Sequence, residues 1–170
     1  AQIDRQAVVS RNNPIVREAS PLASLSLGNG HFAATVDVTG LQSYPQDYEN
    51  GVPLTTMSDW GWHSFPNDQK LTPKETEGAF NLGHGHEEVY AVEYKKGGRQ
   101  QEATNYFRVN PHRLNLGALG LKLTDSEGRQ LKLAELKSIY QELKLWDGTI
   151  DSRFTANGTP VEVTTAGLTK

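Results

Sequence analysis

Two tryptophans separated by a single residue are the most distinctive feature of this 170-residue sequence. Trp60 and Trp62 lie within residues 58–65, and in an extended strand residues two apart point to the same face. Two indole rings on one face suit the apolar face of a pyranose ring. The alternative is that both rings cover the hydrophobic interior, because Trp side chains are highly buried on average. The spacing therefore predicts a surface that meets carbohydrate or a neighbouring domain, with interior packing as the alternative.

Carboxylates and a histidine lie in and beside the same segment. Asp59 and His63 flank the indoles, and Asp37 comes just before the long polar loop that leads to them. A pair of carboxyl groups flanking a sugar is the minimum requirement for glycoside hydrolysis. The sequence does not place any two carboxylates at the required separation, and turn-capping or solvated aspartates explain them more simply. We therefore expect these three residues to be contact residues, and we predict no catalytic residue in this chain.

A second group, His84-Gly85-His86-Glu87-Glu88, has side chains that suit zinc or another divalent ion. Its spacing is not diagnostic, and a third ligand would have to come from His31, His63 or His112, whose positions the sequence does not fix. A polar loop is the simpler interpretation. The sequence also has no glycine-rich phosphate loop and no G-x-S-x-G nucleophile motif. We predict no metal site and no cofactor.

Alternating apolar and polar residues predict an all-β, antiparallel sandwich. Gly28-Asn29-Gly30, Asp147-Gly148 and Asn157-Gly158 each separate two alternating segments, as in tight hairpins. Only one short helix is expected, and residues 67–85 are expected to form a surface loop. The helix is predicted within residues 131–139. In addition to the strands that flank the three turns, strands are predicted over residues 7–10, 31–38, 58–65, 87–94, 103–109 and 112–124. The last of these is expected to contain a bulge at Gly117-Ala118.

Length and composition limit the class of protein. The length suits one domain, so we expect a single sandwich domain over residues 1–170. The net charge is -3 and the basic residues are scattered, which gives no reason to expect a nucleic-acid or membrane partner. The lack of cysteine excludes disulfides and thiolate catalysis. A chain beginning Ala1-Gln2 fits removal of a secretory signal, and we expect a periplasmic or secreted bacterial protein.

Three stretches resemble a known family. They are SPLASLSLGNGHFAATVDVTGLQSYPQDYENGVPLTTMSDWGWHSFP, NPHRLNLGALGL and LKLWDGTIDSRFTANGTPVEVTT, within residues 20–165. In these stretches the chain resembles the N-terminal β-sandwich region of bacterial six-hairpin glycosidases related to glycoside hydrolase family 65. The first stretch is the more specific, because strands around an Asp-Gly turn are common to many sandwich domains.

The resemblance implies a galactose-mutarotase-like supersandwich that precedes an (α/α)6 catalytic barrel. In such enzymes the acid and the base lie on the barrel, and this sequence has no helical-hairpin array to form one. The resemblance thus implies that the chain is the N-terminal part of a longer glycoside hydrolase and is inactive in isolation.

Two functions from different classes remain open. The first is a non-catalytic domain that supports the barrel and lends Trp60 and Trp62 to the substrate rim. The second is a free-standing carbohydrate-binding module with the same residues as its platform. A supporting domain should expose a broad apolar face, whereas a module should be polar apart from a compact aromatic strip. A sugar-epimerising mutarotase is a third reading, since the same architecture can carry that activity.

Overall fold

Antiparallel β-strands dominate the structure, a computed structural model that describes residues 2–168. The chain is 34% strand and 17% helix, so the prediction of an all-β, antiparallel, sandwich-like fold is confirmed. Two compact units are present: unit 1 comprises Ala1–Gly61 and Asn115–Lys170, and unit 2 comprises Trp62–Leu114. That residues 1–170 form a single domain stays a prediction. Among the described residues, no helix is both long enough and apolar enough to cross a membrane.

The elements are short and follow one another with brief connections. In chain order they are α1 (Arg5–Ser10), β1 (Ile15–Val16), β2 (Leu25–Gly28), β3 (Phe32–Val36), α2 (Pro45–Tyr48), β4 (Thr56–Ser58), β5 (Trp62–His63), β6 (Glu77–Gly83), β7 (His86–Ala91), α3 (Arg99–Val109), β8 (His112–Arg113), β9 (Lys137–Lys144), β10 (Thr149–Ala156) and β11 (Thr159–Ala166), with 3-10 turns at Pro73–Thr76 and Leu133–Glu135.

Unit 1 contains two antiparallel sheets. The four-stranded sheet has the order β1-β9-β10-β11, and the three-stranded sheet has the order β2-β3-β4. Leu27 and Val36 of the three-stranded sheet pack with Ile150 of β10 in one buried cluster. A larger cluster collects apolar side chains from β10 and from the loops that follow β3 and precede β9. Burial of these side chains between the sheets is the main stabilising contribution to unit 1.

The three predicted tight turns are present where the sequence placed them. Gly28-Asn29-Gly30 lies between β2 and β3, Asp147-Gly148 between β9 and β10, and Asn157-Gly158 between β10 and β11. Asn157 and Gly158 have φ angles of 47° and 77°, the left-handed conformation that a two-residue hairpin turn of this kind requires. These turns set the register of the sheets.

Two segments that were predicted as strands are helices. Residues 7–10, expected as a strand, belong to α1, whose first turn is capped by the Asp4 carboxylate accepting from the Ala7 N–H at 3.0 Å. Residues 103–109, also expected as a strand, belong to α3, where Ala103 and Thr104 are buried. Residues 7–9 are a run of three apolar residues without alternation, and Ala103, Tyr106 and Phe107 are spaced three and four apart, which fits one face of a helix.

Three further expectations were also wrong. Residues 131–139, expected as a helix, contain the 3-10 turn Leu133–Glu135 and the first residues of β9, and the leucines before β9 are buried in the larger cluster. Residues 67–85 were expected to be a surface loop but include β6, the first strand of the β6–β7 hairpin. Of residues 112–124, only β8 is strand; beyond it Gly120 lies against the carbonyl oxygen of Gln42, where a Cβ would come within 2.6 Å.

Unit 2 is built from two strand pairs and a helix. β5 pairs with β8, and β6 pairs with β7, both antiparallel. α3 packs against the 3-10 turn Pro73–Thr76, and the Arg99 guanidinium at the start of α3 forms an ion pair with Glu75 in that turn. The Thr104 hydroxyl donates to the Val92 carbonyl oxygen at 3.2 Å, which ties the helix to the chain that follows β7.

Asp37, directly after β3, is the most heavily hydrogen-bonded buried carboxylate described. Its oxygens accept from the backbone N–H groups of Thr39, Ser43 and Tyr44, at 2.8, 2.7 and 2.9 Å, and from the Thr39 hydroxyl at 2.5 Å. Its own carbonyl oxygen accepts from the Gln141 side chain of β9 at 2.7 Å. Burial raises the pKa of the Asp37 carboxyl, and the four hydrogen bonds oppose that rise. The residue therefore holds the loop after β3 and links it to the other sheet.

Replacing Asp37 with alanine should lower the free energy of unfolding by about 3 kcal/mol or more, because four donors would lose their buried acceptor. Denaturation by urea, followed by circular dichroism, measures the change. Asp47→Ala is the control: Asp47 is exposed on α2, and its loss should change stability by no more than about 0.5 kcal/mol. Equal stability of the two variants would contradict the role assigned to Asp37.

Candidate functional site

The segment that contains Trp60 is a bend and not the extended strand that the sequence predicted. Ser58 ends β4, and its Oγ accepts from the Gly61 N–H at 3.2 Å, so Asp59 and Trp60 lie at the apex of a turn. A Cβ on Gly61 would lie 3.2 Å from the Ser58 hydroxyl, which favours glycine at this position. Trp60 belongs to unit 1 and Trp62 to unit 2. The turn directs Trp60 outward, and 74% of the residue is exposed.

Asp59 is held at the apex by a residue that sequence reasoning left unplaced. His31 precedes β3, Asp59 follows β4, and the pairing of these strands brings Phe32 opposite Ser58. The His31 Nδ1 lies 2.5 Å from an Asp59 carboxylate oxygen, and the Asp59 N–H donates to the His31 carbonyl oxygen at 2.9 Å. Both side chains are well exposed. The only signal in the sequence was their position at the ends of two strands, which becomes informative once the pairing is known.

Chemically, this turn combines a flat apolar ring with two polar groups on the surface of unit 1. The exposed indole of Trp60 offers a face on which the C–H groups of a sugar ring can stack. The Asp59 carboxylate, which is bonded to His31, places a hydrogen-bond acceptor at the surface beside the indole. Such a combination of an apolar ring and polar groups suits the binding and orientation of a sugar ring.

Trp62 begins β5 in unit 2, where it pairs with Arg113 of β8. The guanidinium carbon of Arg113 lies 4.3 Å from the centre of the Trp62 ring, within the range of a cation–π interaction. Trp62 is nevertheless 48% exposed. One face of its indole is therefore occupied by a side chain of the same unit, unlike the freely projecting ring of Trp60.

His63 is the second residue of β5 and lies directly opposite His112 of β8. The two imidazole ring centres are 5.0 Å apart, and the Phe65 ring lies 5.0 Å from His63 and 5.6 Å from His112. His63 and Phe65 are exposed, and His112 is half-buried. The sequence singled out His63, but it missed His112 and Phe65 as neighbours of that residue.

Asp37 does not belong to a contact surface, and that sequence prediction is corrected. The residue is 0% exposed, and its carboxylate is fully engaged with the loop that follows β3. Asp59 is at the surface and pairs with His31. The structure thus assigns the two aspartates to different tasks, one in the interior and one at the surface.

The histidines and glutamates of residues 84–88 form the turn and the first part of β7, and all are exposed. Within residues 2–168, no group of three or more histidine, aspartate or glutamate side chains is arranged to hold a metal ion. The hairpin position explains the composition of this stretch, since polar residues and Gly85, with φ of 78°, suit an exposed turn.

Trp60→Ala should lower the free energy of unfolding by less than about 1 kcal/mol, because most of the indole is already in water. Phe154→Ala, which empties a buried position on β10, is the matched aromatic control and should cost about 3–5 kcal/mol. Urea denaturation of the two variants measures both values. If Trp60→Ala destabilises the chain as much as Phe154→Ala, then Trp60 is a packing residue and the surface role is wrong.

Each unit therefore carries its own candidate surface: in unit 1 an exposed turn with Trp60, Asp59 and His31, and in unit 2 the β5–β8 pair with Trp62 and His63. Both parts present aromatic rings next to polar groups. Comparison of the chain with models of protein families, with curated proteins and with solved structures gave no match.

Proposed function

We propose that this chain is a non-catalytic β-sandwich domain of a carbohydrate-active glycoside hydrolase. It supports a catalytic (α/α)6 barrel in the same polypeptide, and its aromatic segment at Trp60 and Trp62 borders the substrate rim of that barrel. The partners are then a glycan and the catalytic domain, and the location is the periplasm or the cell exterior. The proposal rests on the resemblance of the three sequence stretches and on the surface properties described next.

The observation that carries the proposal is the amount of exposed surface. The accessible area is 11782 Å² for a mass of 18.8 kDa. A compact monomer of that mass exposes about 8,300 Å², and two separately folded domains of the sizes of units 1 and 2 would expose about 9,900 Å². A standard protein–protein interface buries about 800 Å² on each partner, so the excess of roughly 2,000 Å² is larger than one partner's share of such an interface. Such an excess supports a domain that packs against another domain.

The exposed apolar side chains are spread widely and are not confined to the tryptophan segment. In unit 2, Phe80 and Tyr90 share one face of the β6–β7 hairpin, with ring centres 5.8 Å apart, and both are exposed, as is Leu82. A two-stranded hairpin with both faces in water is marginal by itself, so it needs a partner to cover it. In unit 1, Leu116 and Leu119 border an apolar groove of about 380 Å³. A broad apolar surface favours the supporting domain over the free-standing module.

The free-standing carbohydrate-binding module is the second candidate, and the position of Trp60 is the observation that favours it. Its indole projects from a turn beside the hydrogen-bonded Asp59–His31 pair, which is the arrangement that a sugar platform needs. Under this reading the chain binds glycan by itself. Under the supporting-domain reading Trp60 acts only together with the catalytic domain.

In the full polypeptide that contains this chain, Trp60→Ala should raise KM for the polysaccharide substrate several-fold and leave kcat little changed, because stacking contributes to binding. Trp146→Ala is the control, since Trp146 is also an exposed tryptophan but lies outside the proposed rim. Steady-state kinetics on the purified enzyme measure both variants. A polypeptide without a helical barrel, or equal kinetics for Trp60→Ala and the unmodified enzyme, would contradict the proposal.

The isolated chain should hydrolyse no aryl glycoside and should bind no glycan tightly enough for detection by isothermal titration calorimetry. Both expectations follow from placing the acid, the base and most of the substrate site on another domain. Glycan binding that disappears in Trp60→Ala would favour the module instead. Turnover that disappears in Asp59→Ala would make this chain an enzyme in its own right and would reject both candidates.

A further inference from the structure

Two histidines lie opposite each other on the strand pair that closes unit 2. β5 and β8 contribute two residues each, Trp62 pairs with Arg113, and His63 pairs with His112. Directly opposed residues of an antiparallel pair project from the same face, with Cβ atoms about 4.5–5.5 Å apart. The two imidazoles are therefore side by side, and their ring centres are 5.0 Å apart.

That separation matches the geometry of two imidazoles bound to one metal ion. A zinc or similar ion binds an imidazole nitrogen at about 2.0–2.1 Å, which places each ring centre about 3.2 Å from the ion. With a tetrahedral angle at the metal, the two ring centres then lie about 5 Å apart. The two rings are inclined at 65° to each other in an edge-to-face arrangement, so they have to rotate to direct one nitrogen of each toward a shared ion.

One of the two ligands is already oriented by a hydrogen bond. The His112 Nδ1 lies 2.9 Å from the Val109 carbonyl oxygen. A carbonyl oxygen only accepts, so Nδ1 carries the proton and the neutral ring has its lone pair on Nε2. Metal-binding histidines commonly donate their other N–H to a backbone carbonyl in this way, which fixes both the tautomer and the ring orientation.

We propose that His63 and His112 form a two-imidazole site for a divalent transition-metal ion of the copper or zinc class, and that this ion links the two strands that close unit 2. Imidazole ligands favour copper, nickel and zinc over magnesium and calcium, and copper binds most tightly in this series. No third histidine, aspartate or glutamate joins them within residues 2–168, so water fills the remaining positions. Exposure of His63 leaves room for that water.

The position of the site gives the ion a structural effect. Residues 62–63 and 112–113 are the two ends of unit 2, and they are held together by a two-residue ladder. An ion shared by the two strands closes the intervening chain, and its binding energy adds to the stability of the closed form. The metal site shares the β5–β8 pair with Trp62, but the inference does not rest on the function proposed above, because neither a glycan nor a catalytic domain takes part in metal binding.

The experiment is a titration of the purified chain with CuSO4 and with ZnCl2, followed by isothermal titration calorimetry and thermal denaturation. We expect one ion per chain and a rise in Tm that depends on metal concentration, whereas MgCl2 should have no effect. His63→Phe keeps a ring in the aromatic cluster but removes a ligand, and it should weaken binding by at least about tenfold. The control is the double variant His84→Asn with His86→Asn, which should bind as the unmodified chain does.

A second readout does not depend on the folding of any variant. Cu²⁺ at substoichiometric concentration should broaden the imidazole proton signals of His63 and His112 in the unmodified chain and spare those of His31, His84 and His86. Unchanged affinity in His63→Phe would show that the two imidazoles and Phe65 make an aromatic packing cluster only. Loss of binding only in the His84/His86 variant, or broadening centred on those residues, would overturn the proposal.

Discussion

The buried carboxylate of Asp37 is the constraint around which unit 1 is arranged. A carboxylate without water needs hydrogen-bond donors, and the loop after β3 turns back so that Thr39, Ser43 and Tyr44 supply them. Once that loop is folded, Tyr44 and Tyr48 enter the larger apolar cluster. The Asp37 carbonyl oxygen also receives the Gln141 side chain of β9, which connects the two sheets. One polar interaction thus decides where the surrounding apolar side chains can go.

The same folded loop determines how the chain after unit 2 is placed. The Gln42 N–H donates to the Leu119 carbonyl oxygen at 2.8 Å, and the Ser43 hydroxyl accepts from the Leu121 N–H at 3.0 Å. Gly120 allows this approach because it has no side chain to meet the Gln42 backbone. In this stretch Leu116 and Leu119 remain exposed. Their side chains are part of the apolar surface on which the proposed function rests.

Aromatic residues reach the surface for two different physical reasons. At Trp60 a tight turn stabilised by Ser58 directs the indole into water, where most of its surface is exposed. At Trp62 and His63 the rings stay at the surface but pack against Arg113 and His112 across a short strand pair. The first arrangement offers an open face to a ligand, and the second stiffens the closure of unit 2.

Local chemistry in the sequence determined the all-β character and three of the hairpins, because Asp-Gly and Asn-Gly favour the left-handed backbone of a tight turn wherever they occur. It also singled out the surface tryptophans. Tertiary structure alone decided that Asp37 is interior, that His31 meets Asp59, and that His63 lies opposite His112. It also turned residues 103–109 into part of a helix, since their spacing fits either structure. The physical reason is that turn preference belongs to neighbouring residues, whereas burial and pairing depend on strand register between residues far apart in the chain.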